Sequence, residues 1–288
     1  MAMTSAVSTR TSVKLAASDR LLMRLSMPYR IVATACGIFL LFVPMLMTFY
    51  ISLFDQPFIT FPPRGYTWRW FTELYADFGH PFMVSLQVAL AVVVLSLLIG
   101  VPAGIGLSRY EFRGKGTISM LLLSPLTIPS IAISLSILTA AIAIQQRTGV
   151  VLTGSYSILV VGHVLIATPW VVRLCLVSLA NHNRAVEEAA ASLGATPLVV
   201  ILRVTIPAMR QGMIAAALFA FIISFESLEM SLFLVSPGIS TLPVATLNYL
   251  EVKVDPLIAA LSVVQIIFVA AVLLVLDRFV RLGRNIVH

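Results

Sequence analysis

"RAVEEAAASLGATPLVVILRVTIPAMRQG", residues 184–212, is the longest charge-dense stretch in a chain that is apolar almost from end to end. Its punctuation is that of a soluble helix and turn. Asn183 is a good N-cap, Arg184 to Leu193 are mostly strong helix formers, and Gly194 stands where a helix ends in a left-handed turn. Thr196 followed by Pro197 reads as a second N-cap with proline at the first helical position, where a missing N–H costs nothing. This second helix runs toward Pro207. In the first, Val186, Ala189, Ala190 and Leu193 recur at i, i+3, i+4 and i+7, a narrow face made mostly of methyl groups. Glu187 and Glu188 flank it near the positive helix start and are expected to remain available for a partner's Arg or Lys. A helix this short is marginal alone, so something must hold it. The holder is either another protein or the chain's own helices, which would make the segment a plain intracellular linker.

Outside this stretch composition sets the environment. Apolar residues fill 59% of 288 positions and charged ones 11%, with a mean hydropathy of +1.02, whereas soluble domains carry about a quarter charged residues. The chain reads as an integral membrane protein. Charge-free runs lie between Arg30 and Asp55, His80 and Arg109, Lys115 and Arg147, Arg147 and Arg173, Arg210 and Glu226 (continuing apolar to Val235), and Asp255 and Asp277. Each can hold one helical crossing of about 20 residues. None shows the alternation of a membrane-barrel strand. The expected fold is an all-α membrane protein of six transmembrane helices. The first run, Ile31 to Phe54, is too long for a signal-peptide core and lacks a small-residue cleavage site after it, so it is expected to stay.

Orientation follows from the basic residues. Arg10, Lys14, Arg20, Arg24 and Arg30 precede the first run; Arg109, Arg113 and Lys115 follow the second; Arg173, Arg184, Arg203 and Arg210 surround the opening stretch; Arg278, Arg281 and Arg284 end the chain. Only Arg64, Arg69, Arg147 and Lys253 fall on the other side, against Asp55, Glu73, Asp77, Glu226, Glu229, Glu251 and Asp255. The positive-inside rule then places both termini and residues 184–212 in the cytoplasm. The net charge of +7 is this bias and calls for no nucleic-acid partner. Cys36 and Cys175 lie in or beside apolar spans and read as small hydrophobes.

Polar residues inside the runs are candidates for a solute path. Glu226 and Glu229, i and i+3, are expected on one face in the outer half of the fifth crossing, where carboxylates must face the bundle, water or each other. They either line a path for a cationic solute or cap neighbouring helices near the interface. Ser224 and Phe225 precede them. Pro125 and Pro129 are expected to kink the third crossing. His163 beside Gly162 reads as a helix-packing group before a ligand. "TWRWFTELYADF" (67–78) places Trp68, Phe71, Leu74, Tyr75 and Phe78 on one face, expected in the outer interface or, alternatively, as a dock for an external protein.

No energy source or hydrolytic centre is legible. The Gly114-Lys115 pair has Arg at 109 and Gly at 116, which fails a Walker A loop at both ends. There is no Gly-x-Ser-x-Gly or His-Glu-x-x-His, and there are only 4 histidines. A secondary transporter would rely on ion-coupling charges at mid-membrane and often on internal repeats, and none is obvious. An ion-coupled carrier and a purely structural membrane subunit stay as alternatives.

The opening stretch also carries a resemblance. Glu188, Ala189, Ala190, then Gly194, then after nine residues Val204, Thr205, Ile206 and Pro207 resemble the EAA signature of ABC-importer permeases, departing only by Val204 for Ile and Ile206 for Leu. "LIGVPAGIGLSRYEFRGKG" (98–116), "LLLSPLTIPSIAISLSIL" (121–138), "GHVLIATPWVVRLCLVSLA" (162–180) and "ISFESLEMSLFLVSPGISTLPVATLNYLEVKVDPLIAALSVV" (223–264) are similar to the spermidine/putrescine branch of that family, notably its second permease subunit. The similarity runs from near Phe82 to the end.

The resemblance implies a type I ABC-importer permease bundle. Residues 1–26 would be a basic cytoplasmic tail, and residues 27–288 a single transmembrane permease domain with a coupling-helix loop at about 181–210. It implies coupling to an ATPase through Glu187, Glu188, Ala189, Ala190, Leu193, Gly194 and Pro207, and a translocation path near Glu226, Glu229, Ser224, Phe225, Pro125 and Pro129. The implied partners are a pair of ATPase subunits, a second permease of a different chain, an external solute-binding protein and the lipid membrane. The chain itself is expected to hold no catalytic residue, cofactor or metal, ATP and Mg being used by the ATPase subunits, and a polyamine-like small organic solute is the expected cargo.

Overall fold

The computed structural model describes the backbone of residues 17–284 and the side chains of 29–275 and 278. The expected 1–26 tail lies largely outside these described residues, Arg10 and Lys14 included. The chain divides into two compact units, one ending at Ile51 and one beginning at Ser52. Among the described residues the first holds one helix, α1 (Ala17–Ile51), whose segment Tyr29–Ile51 is long and apolar enough to cross a bilayer.

Among the described residues the regular structure of the second unit is helical, with two isolated bridges in its loops. In order it has α2 (Arg69–Arg109), α3 (Lys115–Leu123), α4 (Ser130–Thr148), α5 (Tyr156–Ala180), α6 (Ala185–Ser192), α7 (Pro197–Val200), a π turn (Ile201–Thr205), α8 (Ile206–Ala208), α9 (Arg210–Phe225), α10 (Leu228–Ser231), α11 (Leu242–Val252) and α12 (Pro256–Arg284). Among the described residues five helices have the length and apolarity of a membrane span: α1, α2, α4, α5 and α12. A sixth exists if Pro197–Ala208 and Arg210–Phe225, which meet at 71°, count as one broken span.

α5 is the axis of the packing. Gly100 and Gly104 of α2 form a Gly-x-x-x-Gly face against it: a Cβ at Gly100 would fall 2.7 Å from Val171 Cγ1, and one at Gly104 2.7 Å from Cys175 Cβ. Gly212 of α9 approaches Ser178 of α5 as closely. Lipid tails are as apolar as leucine, so membrane helices gain by backbone approach through such small residues rather than by hydrophobic exclusion. Leu159, Ile166, Ala167, Val171, Cys175 and Leu179 of α5 are buried in the resulting core. A second core joins Trp70, Leu74 and Phe78 of α2 to Phe221 and Phe225 of α9, Leu242 of α11 and Leu257 and Leu261 of α12.

Three expectations change. "TWRWFTELYADF" leads into the 41-residue α2, continuous through Pro81 and Pro102, and its five aromatic and aliphatic residues do not share one face. Its buried face is Trp70, Leu74 and Phe78, while Trp68 and Tyr75 are exposed. Pro125 and Pro129 break the third crossing instead of kinking it: a single 3₁₀ turn, Ser124–Leu126, and an extended Pro129 separate α3 from α4. Each proline removes an N–H and crowds the carbonyl four residues back, and two prolines four residues apart leave no regular turn between them. The helix expected as the fifth crossing stops at Phe225, after about 24 Å. Between Thr241 and Lys253 lies α11, whose first N–H (Leu242) is accepted by Ser85 Oγ of α2 at 2.8 Å.

Candidate functional site

The opening stretch folds as punctuated. Asn183 Oδ1 accepts from the Ala185 N–H at 2.9 Å, and α6 begins there. At its end the Gly194 N–H bonds to Ala191 O and the Ala195 N–H to Ala190 O. With Gly194 at φ +88°, this is the Schellman arrangement, in which the left-handed residue lets two terminal carbonyls find donors. Thr196 is extended with Pro197 at the first helical position, but its side chain makes no capping bond, and α7 lasts one turn.

Pro207 governs the path of the chain beyond α7. The Ile206 N–H reaches back five residues to Ile201 O, a π turn immediately before the proline. The wider turn makes room for a ring that would otherwise crowd the carbonyl four residues earlier, and the chain bends at Met209.

No residue of α6 is buried. Leu193 is 90% and Val186 59% exposed, so the small apolar face found by spacing is bare in this chain. The two glutamates, however, are not free. Glu187 takes Arg109, the last residue of α2: Nε lies 2.9 Å from Oε2, and Nη2 donates to Oε1 at 3.0 Å. Thr205 Oγ1 of the π turn donates to the same Oε1 at 3.1 Å. Glu188 forms a looser, exposed pair with Arg184 at 3.4 Å. In the sequence Arg109 stands out only as one of the orienting cations and Thr205 only as part of the EAA-like stretch, neither as a partner of Glu187. The signals available were a cation at a helix C-terminus and a carboxylate in the first turn of a helix, each favoured by its local dipole, but nothing in the sequence pairs positions 78 residues apart.

The candidate path residues scatter. α9 ends with Glu226 as its C-cap, and Glu229 sits in α10 beyond the break, so the two carboxylates do not share one helix face. Glu226 lines an open groove of about 510 Å³ with Ile222 of α9 and Ser262, Gln265, Ile266 and Val269 of α12; Glu229 is not among its lining residues. Gln265, the lone amide in the charge-free run after Asp255, was the available signal for this groove. Ser224 and Phe225 turn inward. Phe225 packs its ring among Phe82, Phe221 and Phe268. Ser224 Oγ lies 3.0 Å from His163 Nδ1, and His163 Nε2 lies 3.2 Å from Ser231 Oγ.

Ser231 Oγ also donates to Ser227 O at 2.8 Å. The buried histidine is thus a packing group that ties α5 to both sides of the helix break. Ser134 of α4 adds a bond to Met230 O. Irregular backbone at membrane depth is tolerated where protein satisfies it in this way. Pro125 lines a separate apolar groove with Leu95, Ile99 and Pro169, and Pro129 stands at the start of α4. Among the described residues no group of His, Cys, Asp and Glu could hold a metal.

Residues 96–283 match the family of binding-protein-dependent transport system inner membrane components. The chain is 31% identical over 238 residues to the putrescine transport system permease protein PotI of Escherichia coli strain K12, covering 82% of this chain and 84% of that one. It is 26% identical to the putative 2-aminoethylphosphonate transport system permease protein PhnV of Salmonella paratyphi A, over 88% of this chain and 95% of that one. Among solved structures it resembles in fold, at TM-score 0.70 and 17% identity, a chain of a bacterial ABC transporter involved in alginate import, covering 92% of this chain and 98% of that one.

Proposed function

The chain belongs to the binding-protein-dependent transport system inner membrane components and is a multi-pass permease of an ABC importer, non-catalytic itself, with ATP hydrolysed by a separate subunit; from that premise we propose that α6 is its coupling helix and that Glu226 lies on the solute path. The observation that carries the first part is the bare face of Val186, Ala189 and Leu193 on a helix locked at both ends. Such a face suits a cleft in another protein. Glu188, Ala190, Gly194 and Pro207 complete the coupling segment: Gly194 ends the docking helix, and Pro207 sets the bend into α9.

In this reading the chain crosses the membrane six times, with the bent pair as the fifth crossing and both termini in the cytoplasm. It forms one permease domain from residue 27 onward. It assembles with two ATPase subunits, a second permease of a different sequence and an external binding protein. ATP and Mg act in the ATPase pair and no cofactor binds here. Closure of that pair carries α6 with it and shifts the population of the bundle from inward-open to outward-open.

A polyamine-like solute is the cargo best supported. The solutes named for the relatives, putrescine, spermidine and 2-aminoethylphosphonate, share a protonated primary amine. Glu226, beside Ser262 and Gln265, supplies the acceptor such an amine needs.

Gly194→Pro tests the coupling role, because proline cannot adopt φ +88°. The variant should insert normally and yet lose solute-stimulated ATP hydrolysis and co-purification of the ATPase. Unchanged stimulation would remove α6 from the mechanism.

A further inference from the structure

We propose that Arg109, Glu187 and Thr205 form a clasp that makes the coupling helix, the C-terminal end of α2 and the π turn before Pro207 move as one body. This rests on the importer reading above and adds positioning residues to it. The EAA glutamate, Glu188, is not part of the clasp.

Two elements, α2 and the π turn, converge on one carboxylate of α6. Arg109 contributes two nitrogens from α2, and Thr205 contributes a hydroxyl from the π turn to Glu187 of α6. The Arg109 and Glu187 side chains are 13% and 15% exposed, against 62% and 68% for Arg184 and Glu188, so water and salt screen the first pair far less. A charge-assisted pair with a third donor is also directional, since the fork of the guanidinium fixes the orientation of the carboxylate. Along the chain α6 connects to α5 only through residues 181–184 and to α7 only through Gly194 to Thr196, and neither connection reaches α2. α2 is in turn packed on α5 through Gly100 and Gly104 and on α9 through the second core. A push on α6 therefore enters α2 directly through the clasp, in parallel with the route through α7 and the bend.

The experiment uses the whole importer, chain and partner subunits together, in proteoliposomes, and reads solute imported per ATP hydrolysed. Arg109→Ala and Glu187→Gln should each lower that ratio about fivefold or more, the scale of a coupling free energy between sites. The exchange variant Arg109→Glu with Glu187→Arg should recover a large part of it, which a loss of fold would not. Thr205→Val, which removes one of the three bonds, should fall between. Should Arg109→Ala fail to accumulate in membranes, Glu187→Gln, which keeps the shape of the side chain but removes its charge and turns one acceptor oxygen into a donor amide, decides alone. A wild-type ratio in Glu187→Gln overturns the clasp. Failure of the wild-type chain to stimulate ATP hydrolysis at all would instead overturn the importer reading.

Discussion

Glu226 stands out in the sequence because a carboxylate in an apolar run must face protein or water. Glu226 closes α9 and opens on a groove whose far wall carries Ser262 and Gln265. A solute ammonium meeting it would gain a charge-assisted hydrogen bond worth about 1.5 kcal/mol or more, roughly a factor of ten in rate at low solute. Glu226→Gln should therefore cut uptake of a diamine about tenfold below saturation and leave an uncharged analogue unaffected; equal uptake of the diamine by variant and wild type would take Glu226 off the path. Which residues matter was legible where the chemistry is local. Asn183, Gly194 and Pro197 announce helix ends because caps depend on neighbours within a turn. The partner of Glu187 was not legible, because Arg109 reaches it only after α2 and α5 have packed and brought position 109 beneath α6. The buried histidine was readable as a packing group, though its serine partners were not, since Ser224 and Ser231 lie on opposite sides of a break that composition hides.

Helix lengths departed from expectation in both directions. Gly79 and Pro81 look like stop signals, yet α2 runs through them, its Trp70, Leu74 and Phe78 held by aromatic and aliphatic neighbours from α9, α11 and α12. Tertiary packing outweighs a proline's cost of about 3 kcal/mol when enough apolar surface is buried around it. The fifth crossing shows the reverse. Its apolar run continues past Phe225, but Ser227 takes an extended backbone and the chain turns into α10, where His163 and Ser134 receive it. At the other end of α9 the π turn and Pro207 set the 71° bend. Pro207→Ala restores an N–H and removes the ring, so the turn should tighten toward α geometry and the bend should open. Spin labels at the exposed positions Leu198 and Phe219 would report this as a lengthened distance; an unaltered distance would assign the bend to the packing of Met209 instead.

Across the whole molecule charge alone sets the expected direction of insertion. Arg109, Arg113, Lys115, Arg184, Arg203 and Arg210 gather around the ends of α2, α3, α6 and α9, while Asp55, Glu73, Asp77, Glu251 and Asp255 cluster in the segments at the opposite ends of those runs. Reporters fused to the two termini should both be active on the cytoplasmic side. One terminus found outside would mean that the bent pair does not cross. The membrane class and the number of apolar runs were legible because hydropathy is a property of composition over about 20 residues. The order of packing around α5 was not, since Gly100, Gly104 and Gly212 act through what they lack, and a missing Cβ signals close approach only once its neighbour is known.

The length of α2 has a mechanical consequence. Its 41 residues span about 60 Å, twice the hydrocarbon thickness, with Arg109 at one extremity and Trp70 near the other. A rigid rod of that length tilting by about 5° about its midpoint moves each tip by roughly 2.6 Å, in opposite senses. A displacement of α6 too small to separate any packed helix pair would thus reappear, reversed in direction, at the far end where α11 and α12 rest against it.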